Sequence, residues 1–128
     1  MTVDAAALQA SLADSSLLVV DARAPERFRG EVEPLDPVAG HIPGAVNRPF
    51  PRNLGPEGTF KSATELRAEY AALASDRAPE TIVHQCGSGV TACHNLLAME
   101  IAGIRGTRLY PGSWSEWCAD PSRPVARG

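Results

Sequence analysis

Apolar and polar positions change period several times along this chain, and each period predicts one kind of element. Ala5, Leu8 and Leu12 recur at helical spacing and predict a short helix over residues 4–13. Leu17-Leu18-Val19-Val20 is a compact apolar run that predicts a buried strand, and its C-terminal end carries Asp21-Ala22-Arg23. Pro25 opens a short helix through Phe28, stopped by Gly30. Residues 30–60 hold six prolines and five glycines and are the least regular part of the chain; only Ala45-Val46-Asn47 there predicts a short strand. Ser62-Ala63-Thr64-Glu65 reads as a capping box, and Leu66, Tyr70 and Leu73 then give an amphipathic helix to about residue 75. Pro79 precedes a β-rich run, Thr81-Ile82-Val83-His84-Gln85. After Cys86-Gly87-Ser88-Gly89 a helix is predicted from about Val90 to Ala102, closed by Gly103. Thr107 to Tyr110 predicts a further strand, ended by Pro111-Gly112, and Ser113 is expected to cap a short helix through Cys118.

Strands that alternate with helices and read as continuous apolar runs predict an α/β domain, a parallel sheet with helices on both faces. In such sheets ligands bind beyond the C-terminal strand ends. Asp21-Ala22-Arg23 and Cys86-Gly87-Ser88-Gly89 both fall at such ends and are expected to share one edge. The 128 residues suit one domain, with an N-terminal helix and lead-in over 1–14 and a loosely ordered tail over 119–128.

Composition narrows the function classes. With 44% hydrophobic and 21% charged residues the chain is of ordinary globular make-up. A net charge of −3 disfavours a general nucleic-acid binder or a polybasic membrane-surface protein. No apolar run approaches the roughly 18 residues of a membrane span, and Met1 to Ala5 lacks the basic start of a signal peptide. Cys86, Cys93 and Cys118 form no CxxC pair and no disulfide framework; together these features predict free thiols in a cytoplasmic protein without zinc.

The chemistry is concentrated in Cys86-Gly87-Ser88-Gly89-Val90-Thr91-Ala92. A cysteine ends a strand, two glycines make a tight loop, and a helix starts at once. Backbone N–H groups turned inward by the glycines, with the positive end of the helix dipole, make an anion cradle around the sulfur. Ser88 and Thr91 add hydroxyl donors. The same field favours thiolate over thiol at Cys86, and the thiolate is the nucleophile. The plainer reading is a buried cysteine before an ordinary turn. Cys93, beside Leu97, is expected in the core, Cys118 half-exposed, and His84 packed within its strand. Two enzyme classes use a strand–cysteine–loop–helix. Cysteine phosphatases need an arginine six residues after the cysteine to clamp phosphate, where this chain has Ala92. Sulfur carriers pass sulfane sulfur through a cysteine persulfide and depend on inward N–H groups rather than on that arginine.

The loop from Cys86 to Ala92 resembles the signature of the 3-mercaptopyruvate sulfurtransferases within the rhodanese family, whose thiosulfate-preferring members carry an Arg-Lys pair in place of Gly87-Ser88. Val20-Asp21-Ala22-Arg23, Arg27-Phe28-Arg29-Gly30, Gly40-His41-Ile42-Pro43-Gly44-Ala45 and Gly112-Ser113-Trp114-Ser115-Glu116-Trp117 are similar to the C-terminal domain of tandem sulfurtransferases. The resemblance implies a rhodanese-like parallel sheet of five strands. It implies Cys86 as persulfide carrier, assisted by Ser88, with Arg27 binding the anionic end of the donor and the backbone of Gly87, Gly89, Val90 and Thr91 lining the substrate. It implies no metal or organic cofactor. The partners it implies are a small anionic donor (3-mercaptopyruvate before thiosulfate), an acceptor such as cyanide or a thiol like thioredoxin, and an N-terminal rhodanese-like domain in a parent protein. A cysteine-phosphatase-like enzyme and a non-catalytic interaction module are the remoter readings. His41 is expected to pair with the Asp21 region, and Trp114 and Trp117 to pack or wall the pocket. The stretch from Glu31 to Ala39 lacks the second substrate arginine that mercaptopyruvate enzymes usually carry there.

Overall fold

The computed structural model describes residues 2–14, 16–33, 36, 38–75, 77–87 and 91–128. Asp4 starts the first helix: its Oδ1 accepts the Ala7 N–H at 2.8 Å and caps α1 (Ala5–Ser11). After β1 (Leu18–Asp21), Pro25 fills the first position of α2 (Pro25–Arg29), where its missing N–H costs nothing. That helix stops at Gly30, whose φ of 82° only glycine adopts freely. The Pro/Gly-rich stretch then yields β2 (Val46–Asn47) and one 3₁₀ turn, Phe50–Asn53.

The capping box forms with one difference. Ser62 Oγ accepts the Glu65 N–H at 3.2 Å, as expected for the start of α3 (Ala63–Ala74). The Glu65 carboxylate accepts from the Ser62 hydroxyl at 3.1 Å, whereas a full box would return it to the Ser62 backbone N–H. Pro79–Thr81 form a 3₁₀ turn, so β3 begins one residue later than the β-rich run suggests (Ile82–Gln85). Thr81 donates its hydroxyl to the Ala78 carbonyl at 2.7 Å and belongs to the turn. The chain continues through α4 (Ala92–Ile101), β4 (Arg108–Leu109) and α5 (Ser113–Trp117).

The strands lie in the order β2-β1-β3-β4, all parallel, with Val20 opposite both Val46 and His84, and His84 opposite Leu109. The expected fold class is therefore present, with four strands among the described residues where five were expected. Thr2 adds a single parallel bridge to Leu109, and Val3 N–H reaches the Leu109 carbonyl at 2.8 Å. Asp4 caps a helix immediately afterwards, so the pairing goes no further on that side.

Alternate strand residues feed two cores. Val19 and Val83 pack with Leu8 of α1 and with Trp114 and Trp117 of α5. Val20 and Ile82 pack with Leu66 and Tyr70 of α3 and with Ala98 and Met99 of α4. Helices thus cover both faces, as the unbroken apolar strands require. Ala92, Asn95, Ala98 and Met99 form the buried stripe of α4, and Cys93, expected in the core, is exposed beside a half-exposed Leu97. Nearly every position of that helix is small or apolar, so periodicity admits either face. Small Ala92 and Ala98 let the helix approach the sheet closely. Cys118, expected half-exposed, is buried in the first core, and burial raises its thiol pKa. The segment expected to be a loose tail is hydrogen-bonded to the domain: Ala126 and His41 exchange backbone bonds of 2.8 and 2.9 Å, and Gly128 N–H reaches the Arg29 carbonyl at 3.0 Å. No helix among the described residues is long and apolar enough to cross a membrane.

Candidate functional site

β1 feeds β2 on one side, and β3 feeds β4 on the other, so the crevice of this sheet opens beyond the C-terminal ends of β1 and β3. The two sequence segments singled out above meet there. Ala22 N–H donates to the Gln85 carbonyl at 2.9 Å, and Ala22, Cys86 and Ala92 form a small apolar cluster of their own. Cys86, the first residue after β3, is 1% exposed. Its chain neighbour Gly87 and its cluster neighbour Ala22 line a cavity of about 320 Å³, together with Arg27, Asp36, Phe50, Thr91 and Ser115. Ser88, Gly89 and Val90 lie outside the described residues.

Helix α5 holds the cysteine backbone from beneath. Trp114 N–H donates to the Cys86 carbonyl and Ser115 N–H to the Gly87 carbonyl, each at 2.9 Å. The Cys86 N–H donates to Ser113 Oγ at 3.1 Å, and that hydroxyl donates onward to the Tyr110 carbonyl at 2.9 Å. Ser113 is therefore not the helix cap that its place in the sequence suggests. It is the first residue of α5, it makes no capping bond there, and its φ is 53°. A left-handed serine costs about 1 kcal/mol or more, and the two bonds through its hydroxyl hold it there. Sequence reasoning missed this residue as part of the site; its only signal was membership of the Gly-Ser-Trp-Ser motif.

Arg23 is a structural clamp. Its Nη2 donates to Asp21 Oδ2 at 2.7 Å and to the Gly40 carbonyl at 2.7 Å, and its guanidinium stacks 4.9 Å from the Trp114 ring centre. Asp21 is thus taken by Arg23 and not by His41. The His41 ring lies 3.9 Å from the Phe28 ring and its Nδ1 is 2.7 Å from the Phe28 carbonyl. A carbonyl only accepts, so Nδ1 carries the proton. Trp114 and Trp117 are fully buried and donate their indole N–H groups to the Val38 and Pro124 carbonyls, both at 2.9 Å; they pack the core.

Arg27, in the middle of the short helix α2, reaches the cavity. A Cβ built on Gly87 would stand 3.2 Å from Arg27 Nη2 and 3.4 Å from Nη1. A Cβ there would push the guanidinium aside by a few tenths of an ångström, so glycine lets it lie close to the backbone and is not needed for a special φ. The same Nη2 donates to Glu33 Oε2 at 3.0 Å and stands 3.7 Å from Asp36 Oδ2. Glu33 and Asp36 come from the acidic stretch in which an arginine was sought, and their approach to Arg27 had no sequence signal. Thr91 lines the cavity and makes no side-chain cap on α4. His84 is fully buried two residues before Cys86, and burial lowers its pKa to about 4, so it is neutral at physiological pH. Among the described residues no group of three His, Cys, Asp or Glu side chains is placed to hold a metal ion.

A parallel α/β sheet with a buried cysteine at its crevice and an arginine beside it defines a class, and comparison with known proteins agrees. The rhodanese-like domain family matches residues 4–120. The chain belongs to that family. It is 56% identical over 128 residues to the "Probable 3-mercaptopyruvate sulfurtransferase" of Pseudomonas aeruginosa, covering all of this chain and 45% of the relative. Human 3-mercaptopyruvate sulfurtransferase is 45% identical over 114 residues (86% of this chain, 38% of the relative), and bovine thiosulfate sulfurtransferase 40% over 115 (again 86% and 38%). The Tum1 protein of Saccharomyces cerevisiae superposes with a TM-score of 0.81 at 30% identity, over 98% of this chain and 46% of that one. The chain spans less than half the length of each of these proteins.

Proposed function

We propose that this domain is a sulfurtransferase in which Cys86 carries sulfur as a persulfide. The observation that carries the reading is the placement of Cys86 at the crevice of a rhodanese-like sheet, next to a cavity that Arg27 enters over Gly87. In the first half-reaction the Cys86 thiolate attacks the outer sulfur of the donor. With mercaptopyruvate a sulfur–sulfur bond forms, the donor's carbon–sulfur bond breaks, and the proton carried by the donor sulfur ends on the leaving carbon, giving pyruvate. In the second, cyanide or a thiol such as thioredoxin attacks the outer sulfur and releases the Cys86 thiolate. Arg27 binds the donor carboxylate, since a guanidinium matches a carboxylate geometrically. Ser88 assists the cysteine, and the amides of Gly87, Gly89, Val90 and Thr91 line the donor. No metal or organic cofactor takes part.

Mercaptopyruvate is preferred to thiosulfate. The close approach of Arg27 to Gly87 leaves no room for an arginine side chain at position 87 without displacing the guanidinium. A phosphatase is disfavoured, because the position that would need arginine is Ala92, fully buried at the start of α4. The chain's share of its relatives' length supports a second rhodanese-like domain in the working protein. Three cysteines outside any disulfide suit a reducing compartment such as the cytoplasm.

The test is a persulfide and thiocyanate assay with both donors. Cys86→Ser abolishes transfer and the mass gain of one sulfur atom, while Cys93→Ser keeps both. Transfer that survives in Cys86→Ser, or a tenfold preference for thiosulfate in the unmodified protein, overturns the respective half of the reading.

A further inference from the structure

The charge balance around Arg27 has a consequence for which donors the cavity accepts. Among the described residues the cavity is lined by two cations, Arg23, which is held by Asp21 and the Gly40 carbonyl, and Arg27, which lies against Gly87. Arg27 faces two carboxylates: Glu33 at 3.0 Å, with 5% of its side chain exposed, and Asp36 at 3.7 Å, with 11% exposed. Glu33 also stands 3.6 Å from Arg23 Nη1. The Nη2 of Arg27 is therefore taken, and two carboxylates stand within 4 Å of its positive charge. Both Nη1 and Nη2 lie close to Gly87.

We propose that Glu33, seconded by Asp36, is a specificity-determining residue that acts through Arg27: it admits donors bearing one negative charge and holds back those bearing two. This deepens the sulfurtransferase reading and rests on it. A carboxylate beside the binding cation repels a dianion twice as strongly as a monoanion at the same distance. In the partly screened mouth of a cavity the extra unit of charge is worth about tenfold in affinity. The discrimination is thus electrostatic and separate from the steric effect of Gly87. It also accounts for how Arg27 alone can hold the donor, since a monoanion needs no second cation.

Binding of two unreactive probes tests this without turnover: pyruvate, a monoanionic carboxylate, and sulfate, a dianion, titrated into the protein and followed by amide chemical shifts. Glu33→Gln keeps an acceptor for Arg27 Nη2 and removes only the charge, and it tightens sulfate about tenfold more than pyruvate. Glu33→Asp, which keeps the charge, retains the wild-type ratio. An unchanged ratio in Glu33→Gln, an equal change in Glu33→Asp, or no binding of either probe to Glu33→Gln overturns the proposal. Should Glu33→Gln not fold, Asp36→Asn must move the ratio in the same direction, and an unmoved ratio there is equally fatal. An inert Cys86 would sink the proposed activity and leave this ratio standing, so the two failures are told apart.

Discussion

Two buried polar clusters flank the start of α4, and they are built on opposite terms. In the first, Asn53 is the hub. Its Oδ1 accepts from Arg48 Nε, Arg48 Nη2 and the Tyr70 hydroxyl, and its Nδ2 donates to Asn95 Oδ1 at 2.7 Å and to His94 Nδ1 at 3.0 Å. Asn95 returns a bond to the Arg48 carbonyl at 2.8 Å, and Glu69 neutralises Arg48 at 2.7 Å. Every buried side-chain nitrogen and oxygen of Arg48, Asn53, Tyr70 and Asn95 has a partner. In the second cluster, around Arg27, the Arg27 Nε, Arg23 Nη1 and Asp36 Oδ2 atoms have no hydrogen-bond partner among the described residues. A satisfied network rigidifies a core, whereas unsatisfied buried groups cost stability and persist where a ligand completes them. The first cluster ties the first turn of α4 to Arg48 and Asn53; the second borders the cavity proposed above for the donor.

The contrast breaks if substitutions in the two clusters have the same kind of effect. The largest expected change is at the hub. Asn53→Leu strands the Tyr70 hydroxyl and the Asn95 amide in the core and weakens the hold on Arg48, a loss of about 3 kcal/mol in urea unfolding. The donor ratio of the folded protein stays as in the wild type. A loss below about 1 kcal/mol would show that the hub is not structural.

The next effect concerns what an unpartnered buried polar group costs where no ligand can reach it. Neither ring nitrogen of His84 has a hydrogen-bond partner among the described residues. Its pKa is near 4 in the folded chain against 6.5 in the unfolded one, so between these values the unfolded state binds more protons. Stability is therefore highest above pH 6.5 and falls as pH drops toward 4, by about 3 kcal/mol from this group alone. His84→Phe removes that component, and a wild-type slope in the variant over this window would refute the assignment.

The smallest effect is at the cavity and appears in kinetics. Arg27→Ala removes a charge-assisted contact to the donor worth about 1.5–3 kcal/mol. It raises KM tenfold or more and lowers kcat less, if the contact is equal in ground and transition states. A fall in stability as large as that of Asn53→Leu, with KM unmoved, would place Arg27 with the hub and erase the distinction.

Much of the frame was legible in the chain because it is written locally. The apolar run before Asp21, the Ser62 cap, Pro25 and Gly30 around α2, and Cys86 at a strand end each depend on neighbours within a few residues. Misreadings came where one local signal permits two outcomes. Ser113 has the residue type and place of a cap, yet its hydroxyl is used by Cys86, 27 positions away. Cys93 shares a helix in which either face could pass as apolar, and only the sheet chooses between them.

The α/β class, the order of the elements and the candidacy of Cys86 follow from residue order alone, because hydrophobic period, turn residues and caps act over one or two turns of chain. That Arg23 takes Asp21, that Asn53 reaches Asn95, and that Glu33 and Asp36 face Arg27 over Gly87 is visible in the folded chain and not before. Which charge meets which depends on where loop closure brings the backbone, and burial then makes each meeting binding, since a charge out of water must find its partner within a few ångström.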